Sequence, residues 1–249
     1  ECVNLKDPLV LTIGNFDGMH RGHCALLKHA KSLMSQEGEV LVLTFRNHPS
    51  EVLKPEQPIP LLCSLTHKLR LLEQNGIDNI LLLSFTRYLA QHSAYSFIEN
   101  IRQFIPFSHL VLGHDATLGR DRQGNYAIMQ ELGMEWGFNV HYLKEYRYEG
   151  KGVSSTRIRE TLQQGNLDLV EALLDRPYSI LGHLNSVKEK EKRLDFPTAH
   201  VEITGLCLPP FGIYAIDVLY DSKRHQGIGN LSSNIQKEDN RPILEFFLF

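Results

Sequence analysis

Residues 9–23 decide the fold of this chain, and they read Leu9-Val10-Leu11-Thr12-Ile13-Gly14-Asn15-Phe16-Asp17-Gly18-Met19-His20-Arg21-Gly22-His23. The first residues predict a β-strand, and the glycines after them predict a turn that opens into a helix. Gly14 and Gly18 tolerate backbone angles that other residues avoid, and Gly22 allows a phosphate or a neighbouring backbone to come close. The helix start offers unpaired N–H groups and a partial positive charge to an anion. The stretch therefore predicts a nucleotide-phosphate site at a strand-to-helix junction.

Two histidines three residues apart, His20 and His23, stand at this junction. If the helix begins near His20, both lie on one helix face, because residues three apart are neighbours there. Their imidazoles can donate hydrogen bonds to phosphate oxygens that gain charge in a transition state. The pair is also compatible with metal binding or with two partly exposed polar residues, but the strand, the glycines and the helix together favour phosphate.

Length, composition and charge limit the class of protein. The chain has 249 residues, 42% of them hydrophobic, which permits one large domain or two modest ones with a real core. No apolar stretch approaches the ~20 residues that span a bilayer, and no signal peptide is recognisable, so we expect a cytoplasmic protein without a membrane partner. The four cysteines lack a Cys-x-x-Cys pair and are predicted to be free thiols. A net charge of −3 without a dense basic patch argues against nucleic acid as a partner.

Short apolar strands alternate with amphipathic helices through residues 1–176. The predicted strands are Val10–Gly14, Val40–Phe45, Ile80–Phe85, His109–Gly113 and Asn139–Leu143. The predicted helices cover about 22–36, 65–75, a segment capped by Ser93, 127–136, a segment from the Val153 region to Gly165, and 166–175. This alternation predicts an α/β domain with a parallel sheet covered on both faces.

Beyond Pro177 the helical periodicity disappears, and the pattern becomes one of strands separated by Gly, Pro and charged turns. The predicted strands are Tyr178–Leu184, Phe196–Ile203, Gly212–Tyr220 and Ile243–Phe249. They predict a second domain, residues 177–249, that forms a small antiparallel β-barrel.

Four segments of the first domain resemble the adenylyltransferase half of bacterial FAD synthetases, and together they span most of residues 9–176. They are Gly14-x-Phe16-Asp17-Gly18-x-His20-x-Gly22-His23, which looks like the HxGH signature of nucleotidyltransferases; Thr44–Pro49; Val111–Asp115 with Gly119–Gly124; and Val153–Arg159, which looks like the family's Ser-Ser-Thr-x-x-Arg helix start. The resemblance implies a Rossmann-like nucleotidyltransferase domain joined to a riboflavin kinase domain. It implies ATP, FMN and riboflavin as substrates and Mg²⁺ as cofactor, and it suggests no obligatory protein partner.

Site residues are carried over from this resemblance by their positions in the motifs. Catalytic roles are implied for His20, His23, Ser155, Thr156 and Arg159. Binding roles are implied for Gly14, Phe16, Asp17, Gly18, Gly22, His48, Asp115 and Ser154. The residue types suit the reaction, since FMN already carries its nucleophilic oxygen and the enzyme needs only to align it with the α-phosphorus and neutralise charge.

Four of these residues have alternative interpretations. Asp17 either braces the turn, which we favour, or acts as a base. Ser155 contacts phosphate, or is an N-cap worth ~1 kcal/mol of helix stability, or does both. His48 either contacts phosphate or flavin, or orders its loop. Asp115 accepts from the ribose or the adenine, or helps to hold magnesium.

The resemblance of the second domain to riboflavin kinase is carried by Phe196-Pro197-Thr198-Ala199-His200 and by Gly212-Ile213-Tyr214-Ala215. It implies that Thr198 ligates magnesium and that Glu245 is the general base for the ribityl hydroxyl; alternatively, Glu245 is a strand-end residue facing water. His200 replaces the family's Asn, and residues 188–195 contain no glycine where the family has a glycine-rich turn. The chain also lacks an initiator Met and stops in an apolar strand. Either it is a trimmed version of a longer protein, or its kinase half is degenerate.

Three functions stay open at this point. The first is a bifunctional FAD synthetase. The second is a single-activity FMN adenylyltransferase whose barrel only binds flavin or stabilises the fold. The third is a non-catalytic flavin-binding regulatory module, against which the complete HxGH and Ser-Ser-Thr-x-x-Arg motifs argue.

Overall fold

The computed structural model describes residues 9–34, 37–186, 199–233 and 242–249. Its N-terminal part is built on a parallel sheet with the strand order β3-β2-β1-β4-β5. The strands are β1 (Leu9–Ile13), β2 (Glu39–Phe45), β3 (Asn79–Leu83), β4 (His109–Leu112) and β5 (Asn139–Tyr142). The five strands predicted for this sheet are confirmed, each within two residues at either end.

Helices cover both faces of this sheet. They are α1 (Arg21–Ser32), α2 (Pro49–Leu53), α3 (Leu65–Gln74), α4 (Arg87–Ala90), α5 (Ala94–Phe104), α6 (Tyr126–Trp136), α7 (Ser155–Gln163) and α8 (Leu167–Leu174), with a 3₁₀ turn at Arg120–Arg122. Ser93 accepts from the Ser96 N–H and is the N-cap of α5, as predicted. The short helices α2 and α4 were not predicted, because five and four residues are too few to show a helical period.

The central strand β1 shows why the sheet is covered on both sides. All five of its residues are buried. Leu9, Leu11 and Ile13 face a core that includes Ile98 of α5, whereas Val10 faces a second core that includes Leu27 of α1. A strand buried on both faces reads as a continuous apolar run, which is the pattern of residues 9–13.

The sheet order reverses at β1, since β2 lies on one side of this strand and β4 on the other. In open parallel sheets such a reversal leaves a crevice at the carboxyl ends of the strands, where ligands bind. The glycine turn after β1 opens into this crevice, and a short hairpin of β6 (Arg147–Tyr148) and β7 (Lys151–Gly152) leads from β5 to the start of α7.

The C-terminal part is an antiparallel sheet with the order β10-β11-β12-β9-β8. Its strands are β8 (Leu184–Ser186), β9 (Ala199–Glu202), β10 (Gly212–Tyr220), β11 (Lys223–Ser233) and β12 (Pro242–Leu248). A small antiparallel β domain is therefore confirmed. The described order leaves β10 and β8 at its two ends, so closure into a barrel stays a prediction.

One strand prediction is wrong here and one strand was missed, each for a physical reason. Residues 178–183 form no strand, because Tyr178 packs into the core around α7 and α8 while Ile180 packs into the core of the second sheet. Strand β11 was not predicted, because two of its three buried positions are Gly227 and Gly229. A Cβ on Gly227 would lie 2.2 Å from the Phe247 carbonyl oxygen, so close packing replaces the expected apolar alternation.

The two parts of the chain contact each other through residues 61 and 205–207. The Leu61 N–H donates to the Gly205 carbonyl at 2.9 Å, and the Cys207 N–H donates to the Leu61 carbonyl at 2.7 Å. Cys24, Cys63 and Cys207 are free thiols, as predicted, and Cys2 lies outside the described residues. In the part of the chain that the structure describes, no helix has the length and apolarity to cross a membrane.

Candidate active site

A cleft of about 770 Å³ opens at the carboxyl ends of β1 and β4, a volume typical of small-molecule sites. Twelve of the N-terminal residues singled out from the sequence line it: Gly14, Phe16, Asp17, His20, Gly22, His23, His48, Asp115, Ser154, Ser155, Thr156 and Arg159. Gly18 does not. Its φ of +78° and the Leu62 side chain, 2.7 Å from the place of a Cβ, explain the glycine by backbone shape and packing.

The two histidines lie together at the N-terminus of α1. His20 is the N-cap, and its Nδ1 accepts from the His23 backbone N–H at 3.3 Å. The two rings stack with centroids 3.7 Å apart. Gly22 is needed between them, since a Cβ there would lie 3.1 Å from the His20 ring and 3.6 Å from the Val153 carbonyl. The motif thus brings two imidazoles and a helix N-terminus to one wall of the cleft.

Both imidazoles are neutral at physiological pH. Burial lowers the pKa of His20 to about 4. Burial also lowers the pKa of His23 well below its usual range, helped by the charges of His20 and Lys68. Because Nδ1 of neutral His20 accepts a hydrogen bond, the ring proton belongs on Nε2. Nδ1 of His23 has no hydrogen-bond partner among the described residues, although it is buried.

The N-terminus of α7 forms the facing wall. Ser154, and not Ser155, is its N-cap, accepting from the Arg157 N–H at 3.2 Å. The Ser155 hydroxyl instead donates to the Asp17 carbonyl at 2.9 Å and so joins this helix to the turn after β1. Thr156 is exposed at the cleft. The first turn of α7 therefore presents hydroxyls and unpaired N–H groups to the cleft.

Asp17 and Arg159 are paired with each other beneath the cleft surface. The Arg159 guanidinium donates to the Asp17 carboxylate at 2.5 Å and to the Pro60 carbonyl at 2.7 Å. The side chains are 10% and 7% exposed for Arg159 and Asp17, respectively. Asp17 also accepts from the Leu62 and Cys63 backbone N–H groups. A phosphate contact for Arg159 stays a prediction. Such a contact would use the guanidinium N–H groups that do not bond to Asp17 or Pro60.

His48 and Asp115 lie on other parts of the wall. Nδ1 of His48 accepts from the Ser50 N–H at 3.1 Å, while the Glu51 carboxylate accepts from the His48 backbone N–H, which closes a capping box at α2. Burial lowers the pKa of His48. Asp115 is exposed, and its Oδ1 lies 3.7 Å from Nδ1 of His114.

Two cations, the buried Lys68 and the half-buried Arg176, were missed by sequence reasoning. Lys68 of α3 donates to the carbonyls of Asn15 and Phe45, and it therefore fixes the ends of β1 and β2 below the cleft. The sequence signal for Lys68 is its position among the buried residues of an amphipathic helix. Arg176 donates to the Gly18 carbonyl at 2.9 Å and holds the glycine turn from the other side. No local pattern marks Arg176, since its partner lies 158 residues away.

The end of the cleft that lies at β2 and β3 is largely apolar. Side chains from the ends of β2 and β3 and from the helices behind them line it, namely Phe45, Pro49, Leu53, Ile59, Phe85, Leu89 and Phe97. Sequence reasoning missed these residues because they come from five separate segments. The cleft therefore combines a polar end, suited to phosphate, with an apolar end, suited to a flat ring system.

Comparison with protein families identifies the family of this chain. The sequence model of the FAD synthetase family matches residues 3–157, and that of the riboflavin kinase family matches residues 174–249. The chain belongs to the bifunctional FAD synthetase family. Its function is FAD synthesis through riboflavin phosphorylation and FMN adenylylation, and both family regions are present. Of the three functions left open by the sequence, this supports the first.

Curated relatives match this chain over nearly its whole length. The bifunctional riboflavin kinase/FMN adenylyltransferase of Escherichia coli K12 is 34% identical across 98% of this chain and 79% of its own. The Haemophilus influenzae protein of that name is 31% identical across 96% of this chain and 79% of its own. A solved structure described as a macrolide-efflux protein from Streptococcus pneumoniae superimposes with a TM-score of 0.83 at 24% identity, covering 99% of this chain and 82% of that one. At this identity the likeness shows the fold alone.

The remaining predicted residues, Thr198 and Glu245, fall in the region that matches the riboflavin kinase family. Glu245 is exposed on β12, where it pairs in register with His200 of β9 and Asn230 of β11. Thr198 lies outside the described residues, so its predicted contact with magnesium is untested.

Proposed function

We propose that the cleft between α1 and α7 is where this enzyme transfers AMP to FMN. In that reaction an FMN phosphate oxygen attacks the α-phosphorus of ATP, the bond from the α-phosphorus to the β-phosphate bridging oxygen breaks, and pyrophosphate leaves. The observation that carries the proposal is the pair of neutral imidazoles at the N-terminus of α1, facing the N-terminus of α7 across a cleft with an apolar end.

The polar end suits a reaction that consists of positioning and charge stabilisation. Nε2–H of His20 is a donor that does not depend on protonation in the neutral pH range. The buried Nδ1 of His23 needs a partner, and a bound ligand or water supplies one. Two helix N-termini and the hydroxyls of Ser154 and Thr156 add fixed dipoles, which stabilise developing negative charge without reorganising.

The apolar end suits the flavin ring. Phe45 and Phe85 contact each other edge to face, with centroids 5.4 Å apart, and form part of this wall. Burying an aromatic ring system against such side chains supplies binding energy remote from the reacting phosphates. We assign the isoalloxazine to this end and the phosphates of both substrates to the histidine end.

Magnesium is assigned to the polyphosphate of ATP. Within the described ranges, no group of three or more His, Cys, Asp and Glu side chains is placed to hold a metal ion. A donor set of one carboxylate plus phosphate oxygens and water fits magnesium, which keeps several waters and prefers oxygen. Asp115, an exposed carboxylate on the cleft wall, is the residue we assign to it, and bound magnesium would neutralise charge on the leaving pyrophosphate.

Riboflavin phosphorylation is assigned to residues 177–249, and adenylylation to residues 1–176. Glu245 would take the proton of the ribityl hydroxyl as that oxygen attacks the γ-phosphorus of ATP, the bond from the γ-phosphorus to the bridging oxygen breaks and ADP leaves. Thr198 would ligate magnesium. The matches to bacterial enzymes support a cytoplasmic location, with ATP, FMN and riboflavin as the partners.

A chromatographic assay with ATP and magnesium tests the proposal, run once with FMN and once with riboflavin. In the wild type we expect FAD from FMN, and both FMN and FAD from riboflavin. We expect His23→Ala to lower FAD formation from FMN by about 100-fold, the scale of losing one transition-state donor, while FMN formation from riboflavin continues.

His29→Ala is the matched control, because His29 lies on the same helix but does not line the cleft. It should keep FAD formation near the wild-type rate. A folded His23→Ala enzyme that formed FAD as fast as His29→Ala would show that the histidine pair is not the site of adenylyl transfer.

A further inference from the structure

The Asp17 carboxylate is the centre of a buried junction between three distant parts of the chain. Both its oxygens accept from the Leu62 N–H at 3.0 Å, one accepts from the Cys63 N–H at 3.3 Å, and one accepts from Arg159 at 2.5 Å. The Arg159 Nε–H donates to the Pro60 carbonyl. The turn after β1, the start of α7 and residues 60–63 are therefore held to one another by the same charge pair.

The C-terminal part of the chain also contacts residues 60–63, which we call the linking segment. Leu61 exchanges two backbone hydrogen bonds with Gly205 and Cys207. The Cys207 thiol donates to the Arg159 carbonyl at 3.8 Å, and the Tyr178 hydroxyl donates to the Cys207 carbonyl at 2.6 Å. Leu62 and Cys207 are both buried in one apolar cluster with the inward face of α7.

The positions of the α1 wall and of the α7 wall therefore both depend on this linking segment. The wall of α1 follows the turn that contains Asp17, and the wall of α7 carries Arg159 one turn below its first residues. The Ser155 hydroxyl of α7 also donates a hydrogen bond to the Asp17 carbonyl. A shift of residues 60–63 would change the spacing between the histidines and the α7 N-terminus, and a misplacement of about 1 Å can cost about 100-fold in rate.

We propose that residues 60–63 are a positioning segment for adenylyl transfer, held in place by the contact of Gly205 and Cys207 and acting through Asp17 and Arg159. The C-terminal part of the chain then contributes to adenylyl transfer, although none of its described residues lines that cleft. This inference rests on the proposed function of the cleft. It makes Asp17 and Arg159 positioning residues for the histidines and the α7 N-terminus.

A pair of glycine substitutions tests the proposal. Gly205 has a φ of +77° and Gly137 a φ of +73°, and neither has any atom within 4 Å of the place of a Cβ. Alanine therefore imposes similar backbone strain at both positions without a clash. Gly205 carries the carbonyl that accepts from Leu61, whereas Gly137 ends α6 away from the cleft.

With FMN and ATP as substrates, we expect Gly205→Ala to lower kcat about 10-fold with KM values within about threefold, since geometry and not binding is disturbed. Gly137→Ala should keep kcat within about twofold. Equal kcat values for the two folded variants would overturn the inference. An inactive wild type would overturn the proposed function instead, so the two failures are distinguishable.

A double-mutant cycle and a second variant complete the test. If Gly205 acts through Asp17, the kcat loss of Gly205→Ala combined with Asp17→Asn should be smaller than the product of the single losses, whereas a simple product would refute the route. If Gly205→Ala does not fold, Tyr178→Phe removes the hydroxyl that holds the Cys207 carbonyl. It should lower kcat about threefold with KM unchanged, and an unchanged kcat would refute the proposal.

Discussion

Removing the Asp17 carboxylate should destabilise the N-terminal domain far more than removing a carboxylate from a surface ion pair. Asp17→Ala leaves the Arg159 guanidinium, whose side chain is only 10% exposed, without its counter-charge. It also leaves the Leu62 and Cys63 N–H groups without their acceptor. Breaking a buried pair from one side costs about 3–5 kcal/mol, because the remaining charge stays out of water.

Asp175→Ala is the matched control. Asp175 pairs with Arg21 at 2.6 Å, but the side chains are 67% and 31% exposed, respectively, so water screens the interaction. Such a pair contributes about 0–1 kcal/mol. Both substitutions remove a carboxylate, and they differ in burial and in backbone conformation, because Asp175 has a φ of +63°, where alanine adds about 1 kcal/mol of strain. With that strain included, the control loses about 1–2 kcal/mol, so the expected difference in the free energy of unfolding is about 1–4 kcal/mol.

Urea unfolding followed by tryptophan fluorescence measures this difference. The chain has a single tryptophan, Trp136 of α6, whose ring lies 4.6 Å from that of Tyr95 and which therefore reports on the N-terminal domain. Equal unfolding midpoints for Asp17→Ala and Asp175→Ala, at equal slopes, would refute the reasoning. Adding Arg159→Met to Asp17→Ala should restore part of the stability, because it removes the unpaired buried charge.

The remaining predictions concern pH and the kinase site. Burial lowers the pKa of His20 and of His67 to about 4, so the unfolded chain binds these protons near pH 6.5 and the folded chain does not. This contribution to stability should be fully present above about pH 7, and the free energy of unfolding should fall by about 2 kcal/mol per histidine between pH 7.5 and pH 5. Urea unfolding at both pH values measures the change, and equal midpoints would contradict it. For Glu245→Gln, FMN formation from riboflavin should fall by at least about 100-fold, while FAD formation from FMN stays unchanged. A chromatographic assay measures both products. FMN formed at the wild-type rate would rule out the general-base role.

Local patterns in the sequence predicted the parallel sheet and its helices, and the motifs predicted the polar residues of the cleft but not its apolar ones. Continuous apolar runs such as Val40–Phe45 predicted buried parallel strands, and Ser93 predicted a helix start, because both signals lie within a few neighbouring residues. The motif that contains His20 and His23 predicted a strand, a turn and a helix together, and each part constrained the next. Strand β11 escaped prediction because Gly227 and Gly229 occupy positions where packing space, and not hydrophobicity, was the requirement.

Only the tertiary structure decided how these residues are used. The sequence shows Asp17 and Arg159 as two members of two motifs, 142 residues apart, and the fold pairs them in a buried junction with residues 60–63. The fold likewise places Lys68 where it donates to the Asn15 and Phe45 carbonyls at the ends of β1 and β2. Periodicity and motif spacing report what lies within a few residues, so the sequence by itself determined the elements and the chemistry that they carry. Which charges neutralise each other depends on distances between segments far apart in the chain, and those distances exist only once the sheet, the helices and the C-terminal strands have packed.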